Sequence, residues 1–173
     1  MQIFKQRDYP HVLLGSSNLT IAADGCYTCV LAEINNIFGA NCTPDQVAAH
    51  KEFYTLDGQI INTKLDLQNT VFDWSGAWDQ SKVDEYLSDW QNKQMAVKIQ
   101  LPRGQTHFMK IDQKNWLGRY QCDDPWSGQK VDIEHYGPII GVRYFSKREQ
   151  PVKFNVQPIS SDTTEVTHNP NGF

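Results

Sequence analysis

The chain has no apolar run longer than a few residues, so nothing in it approaches the roughly 20 consecutive apolar residues of a membrane-spanning helix. Its opening, MQIFKQRDYPHVLLG, lacks the apolar stretch and small-residue cleavage site of a secretory leader. The expectation is a protein made in the cytoplasm, or one exported by a route that uses no cleaved signal. Positive charge is also scarce: 16 Lys and Arg against 20 Asp and Glu give a net charge of -4, with no basic stripe, which argues against nucleic-acid binding. There are 4 cysteines, Cys26, Cys29, Cys42 and Cys122. In a chain of this length without a leader, a disulfide framework is a poor reading, and free thiols fit better. Cys26-x-x-Cys29 has the spacing of a redox or zinc half-site. No second C-x-x-C completes a zinc site, and no strand-helix-strand context supports redox chemistry, so neither metal nor cofactor is implied. Repeats and low-complexity tracts are absent.

What remains is an ordinary globular composition, 39% hydrophobic and 12% aromatic over 173 residues, enough for one domain with its own core. Residues 1–25 read as irregular, closing on the sharp break Asp24-Gly25. In CYTCVLAEINNIF, the residues Tyr27, Val30, Ile34 and Phe38 recur at helical spacing and Gly39 can stop the helix, so Cys26 falls in the first turn. Thr43-Pro44-Asp45-Gln46 combines an N-cap, a proline at the first helical position and a capping box, and predicts a second helix to about Phe53. Residues 55–79 show no clean period and read as loop with a short helix at most. A third helix is expected after Ser81, with Asp84 completing a capping box and Val83, Tyr86, Leu87 and Trp90 as its apolar stripe.

The pattern then shifts to alternation. Four strands are expected at 95–101, 106–111, 119–122 and 138–145, with Pro102-Arg103-Gly104-Gln105 as a turn. Helices first and an antiparallel sheet second make an α+β domain over residues 1–149. The polar stretch 150–173 is expected to be extended or disordered, or to dock on a protein partner.

Thiol chemistry at neutral pH needs the thiolate, and a helix N-terminus and a nearby imidazolium both favour it. Cys26 has the first by position. Gly25 lets the chain turn and is expected to leave room for substrate above the sulfur. His107, in GQTHFMKI, lies on a strand that turns His107, Met109 and Ile111 to one face and Phe108 to the other. Asp124, in CDDPW, lies just past the next strand, one hairpin away, and suits the third group that orients an imidazole. Asp123 is its local rival. Trp126 is a candidate wall of a substrate cleft, although packing serves equally well. His11, His50, His135 and His168 lack a comparable setting. Trp74, Trp78, Trp90 and Trp116 read as packing residues, with an aromatic groove for glycan around Trp74 and Trp78 as the alternative.

Gly-Cys opening a helix, then GQTHF on a strand, then DDPWSG after the next strand, resembles the C39-like peptidases of the papain-like superfamily. LGSSNLTIAADGC is similar to the lead-in of many phage-encoded members. The likeness covers roughly residues 12–146. It implies a papain-like fold and a cysteine peptidase or amidohydrolase with Cys26 as nucleophile, His107 as acid/base and Asp124 as orienter. It also implies a peptide or peptidoglycan substrate, no cofactor, and a virion-associated role as one setting. Many members place an oxyanion-hole Gln about six residues before the Cys. Thr20 stands there in this chain, so Thr20 or Asn18 is the expected donor beside the Cys26 backbone N–H. The alternative is a weak or inactive papain-like module with a structural or binding role in a larger assembly.

Overall fold

A computed structural model describes residues 2–152. Four α-helices, α1 (Ile21–Asp24), α2 (Cys26–Ile37), α3 (Pro44–Ala48) and α4 (Gln80–Ser88), accompany six strands. The strands are β1 (Thr70–Gly76), β2 (Lys93–Gln100), β3 (Thr106–Lys114), β4 (Tyr120–Asp124), β5 (Gln129–Asp132) and β6 (Ile139–Lys147). They form one antiparallel sheet in the order β1-β6-β2-β3-β4-β5, so the domain is α+β. Among the described residues no helix is long and apolar enough to cross a membrane.

Strand alternation divides the core in two. Met95, Val97, Ile99, Met109, Ile111, Cys122, Val142 and Tyr144 face α4, whose Val83 and Tyr86 complete that layer. Ala96 and Phe145 face the opposite way and pack with α2 and α3. In α2 every residue from Tyr27 to Asn35 is buried, so the helix has no solvent face. Each fully buried aliphatic such as Leu31 or Ile34 contributes roughly 1.5–3 kcal/mol. Most of its buried polar groups find partners, as burial requires, although Asn35 Nδ2 has none. Thr28 shares a hydrogen bond with Tyr54 at 2.9 Å, and Asn35 Oδ1 accepts from the Asn69 N–H at 2.9 Å and the Thr70 hydroxyl at 3.0 Å.

Several boundaries differ from the sequence expectation. Residues 1–25 hold a 3₁₀ turn at Gln6–Asp8 and the short α1. The Thr43 capping box forms, but α3 stops at Ala48 and the chain continues as a 3₁₀ turn at Lys51–Phe53. The N-cap of α4 is Asp79, whose carboxylate accepts from the N–H groups of Ser81 and Lys82. Asp84 instead accepts from Lys114 at 2.8 Å and from the Tyr120 hydroxyl at 2.7 Å. β1 lies in the stretch read as loop, and β5 lies between the strands expected at 119–122 and 138–145, where none is expected. Both are edge strands. An edge strand is half solvated and need not carry an apolar period. The 150–173 tail lies outside the described residues from 153 onward.

Candidate active site

Cys26, His107 and Asp124 come from three elements that meet at one end of the sheet. Gly25 is the N-cap of α2 and Cys26 its first residue, so the sulfur sits at the positive end of a 12-residue helix. Cys26 is partly exposed, whereas Cys29, Cys42 and Cys122 are buried. Burial pushes the Cys29 and Cys122 thiols well up and Cys42 to about 11, so those three are poor nucleophiles at neutral pH. The Cys26 sulfur accepts the Phe108 backbone N–H at 3.5 Å.

His107 is the second residue of β3 and is buried. Its Nε2 lies 2.6 Å from Asp124 Oδ1, and the Cys26 thiol stands near enough to the ring to favour its charged form. With Nε2 on Asp124, Nδ1 is the nitrogen left for sulfur. Burial disfavours the imidazolium, but the Asp124 carboxylate and the neighbouring Cys26 sulfur outweigh it and push His107 up to about 9.

Asp124 is fully buried and well supplied with donors. Oδ1 accepts from the Trp126 N–H at 2.9 Å. Oδ2 accepts from the Ser127 N–H at 3.2 Å, the Ser127 hydroxyl at 2.7 Å and the Tyr136 hydroxyl at 3.0 Å. Burial alone would raise its pKa, yet His107, Ser127 and the Trp126 N–H together hold it well below the usual carboxylate range. The sequence Asp-Pro-Trp-Ser-Gly makes this local. The aspartate accepts from N–H groups two and three residues on, and Gly128, at φ 72°, closes the turn by donating to the Asp124 carbonyl at 2.8 Å.

Adjacent strand residues face opposite ways, so the DD pair splits. Asp124 turns to His107, and Asp123 turns to the α2 face. There Lys110 Nζ, fully buried, lies 2.7 Å from Asp123, 3.0 Å from Asp112 and 3.5 Å from Glu33. Lys130 joins at 3.1 Å from Asp123 and pairs closely with Asp112. Burial pushes the Glu33 carboxyl up to about 9 despite the Lys110 charge. Asp123 goes the other way: burial opposes ionisation, but Glu33 and Lys110 lower its pKa. One buried ammonium thus ties the helix that opens on Cys26 to the strands that carry His107 and Asp124.

A cavity of about 470 Å³ opens over the sulfur; its walls include Gln6, Cys26, Gln59, His107, Trp126 and Tyr136. Trp126 is in the wall as expected, with the Arg7 guanidinium 3.9 Å above its ring. Three other expectations are corrected. Thr20 does not line the cavity: it caps α1, its hydroxyl accepting the Ala23 N–H at 3.3 Å. Asn18 is exposed in a turn and is likewise outside the cavity wall. Gly25 is buried at the α1–α2 junction, where a Cβ would stand 2.5 Å from the Ile21 Cα. The glycine therefore makes room for the preceding helix, and substrate is not what it accommodates.

The residue that sequence spacing missed is Gln6. It is buried in the cavity wall, its Nε2 donating to the Ala22 carbonyl at 3.0 Å and its backbone N–H to the Pro125 carbonyl at 2.8 Å. The second Nε2 hydrogen remains for a ligand. Gln6 stands 20 positions before Cys26 and reaches the site through the Ile21–Asp24 helix it hydrogen-bonds, a path that motif spacing cannot reveal.

The four other tryptophans and, among the described residues, the other histidines lie outside the cavity wall. Trp74 stacks on Tyr144, Trp78 meets Tyr120 edge-on, and Trp90 and Trp116 are exposed. His11 and His135 are exposed, His50 stacks on Phe53, and His168 lies outside the described residues. Among the described residues no group of three or more His, Cys, Asp or Glu is arranged to hold a metal ion. No family model matches this chain, and no curated protein or solved structure matches it.

Proposed function

We propose that this protein is a papain-like cysteine hydrolase that cuts a peptide or isopeptide bond, with Cys26 as nucleophile, His107 as acid/base and Asp124 as orienting carboxylate. The observation that carries the reading is His107 held between a buried, five-fold hydrogen-bonded Asp124 and a sulfur at a helix N-terminus. The thiolate attacks the carbonyl carbon and its electrons move onto oxygen. The Cys26 backbone N–H and Gln6 Nε2 donate to that oxyanion. As it collapses, the C–N bond breaks, His107 gives its Nδ1 proton to the leaving amine, and a thioester remains on Cys26. Water, losing a proton to His107, then cleaves the thioester and restores the thiolate pair. The resemblance to C39-like peptidases, including phage-encoded ones, supports the peptide stem of peptidoglycan as the substrate. The competing reading, a weak or inactive scaffold, draws on the lack of a glutamine near Cys26 and on the polar 150–173 tail; Gln6 in the cavity wall weighs against the first of these.

The test is the rate of Cys26 alkylation by iodoacetamide across neutral pH in wild type and His107→Ala, read by peptide mass mapping. The expected result is a Cys26 that reacts at least about tenfold faster than a free thiol at pH 7 and loses that advantage without His107. An ordinary rate that ignores His107 refutes the proposal.

A further inference from the structure

Beside the cavity, on the sheet face that carries α2, two cations crowd one aromatic ring. Lys98 Nζ lies 5.6 Å and the Arg143 guanidinium carbon 5.8 Å from the centroid of Phe108. Phe108 also stacks on Tyr27, with centroids 4.2 Å apart and planes 13° from parallel. Both rings line the cavity, and the Phe108 N–H reaches the Cys26 sulfur. Register brings the cations together. Lys98 pairs with Gly141 and Ala96 with Arg143, so the two charges are diagonal neighbours on one face. A Cβ at Gly141 would stand 3.3 Å from Arg143 Nη1, so the guanidinium lies over the bare glycine, toward Lys98.

Neither cation meets a carboxylate among the described residues, whereas Lys82, Lys93, Lys114 and Arg148 each do. Arg143 Nη1 donates only to the Val142 carbonyl, at 3.2 Å, and its Nε is buried without a partner. Two like charges held side by side repel. An anion between them removes the repulsion and supplies an acceptor for the guanidinium.

We infer that Lys98 and Arg143 form a carboxylate-binding subsite of the cleft, so that the preferred substrate carries an acidic group close to the scissile bond. As a statement about substrate, this rests on the thiol-hydrolase reading above. The path from the sulfur along Phe108 to the cations is on the order of 10 Å, which an acidic side chain reaches from one or two residues away in an extended peptide. An acidic residue within the chain and a terminal carboxylate present the same chemistry, and the test separates them.

The test uses the full chain with Cys26→Ala, which binds without turnover, and calorimetric titration with three short peptides. The first is capped at both ends and carries an internal Glu; the second has Gln in its place. The third is the Gln peptide with a free C-terminal carboxylate. The expected result is a Glu peptide bound about tenfold or more tightly than its Gln partner, as for a charge-assisted hydrogen bond. The preference should weaken with salt and vanish in Lys98→Met and in Arg143→Met. A gain confined to the free-carboxylate peptide supports the same subsite and assigns it to a chain terminus. Equal binding of all three, no binding of any, or a preference that survives both Met substitutions overturns the inference. Failure of the hydrolase reading shows elsewhere, in a slow, His107-independent reaction of wild-type Cys26 with neutral iodoacetamide.

Discussion

Replacing Lys110 by Met keeps most of the buried stem and deletes the charge that joins α2, β3 and β4. Stripping one partner from a buried ion pair costs roughly 3–5 kcal/mol. Two features put this case at the lower end. Lys130 remains 3.1 Å from Asp123 and in contact with Asp112, so neither carboxylate is left alone. Glu33, pushed up to about 9 chiefly by burial, keeps its proton at neutral pH and is not a stranded charge. The expected loss at pH 7 is therefore about 3 kcal/mol, read by urea denaturation. Glu33 adds a dependence on pH whose sign is definite. Its folded pKa stands above the unfolded value, so its favourable contribution is complete below about pH 4.5 and is lost as pH rises through about 9. While Glu33 holds one proton more in the folded state, stability falls by up to about 1.4 kcal/mol per pH unit. His107, also raised to about 9, acts in the same direction only above about pH 6.5. Glu33→Gln should thus flatten the stability curve of the wild type between about pH 4.5 and 6.5. A loss below about 1 kcal/mol in Lys110→Met, or an unchanged slope in Glu33→Gln, refutes the account of this cluster.

Two further outcomes follow from the site. Gln6→Ala should lower turnover of a peptide substrate by roughly 10²–10³, as for loss of one oxyanion donor, and leave the iodoacetamide rate at Cys26 close to wild type, because alkylation at carbon builds no oxyanion; parallel loss of both rates would place Gln6 in the fold rather than the chemistry. Gly25→Ala should cost about 2 kcal/mol or more of stability through overpacking against the Ile21 backbone, measured by thermal or urea unfolding, whereas a stable variant impaired only toward bulky substrates would restore the idea that the glycine makes room above the sulfur.

Local chemistry was legible in the sequence where a short stretch contains its own cause. The break at Asp24-Gly25 and the period of CYTCVLAEINNIF put Cys26 at a helix start. The alternation of THFMKI set the face of His107. Asp-Pro-Trp-Ser-Gly carries the turn whose N–H groups hold Asp124. The central strands β2, β3, β4 and β6 were legible for the same reason: burial on both faces imposes apolar residues at regular spacing. Other features depend on contacts between distant segments, and only the tertiary structure decided them. Gln6 enters the cavity wall because α1 and Pro125 hold it there, 20 residues from the sulfur. Gly25 is required by a neighbouring helix. Nothing local marks Lys110 as buried; Glu33, 77 positions earlier, and Asp123 close around it only in the folded chain. The edge strands β1 and β5 escaped notice because one solvated side relaxes their pattern. Lys98 and Arg143 became neighbours only through the pairing of β2 with β6. Sequence determines what a backbone segment does with its own hydrogen bonds and apolar period. Which charges and amides meet across the sheet is set by strand order and register, and those are fixed by the packing of the whole core.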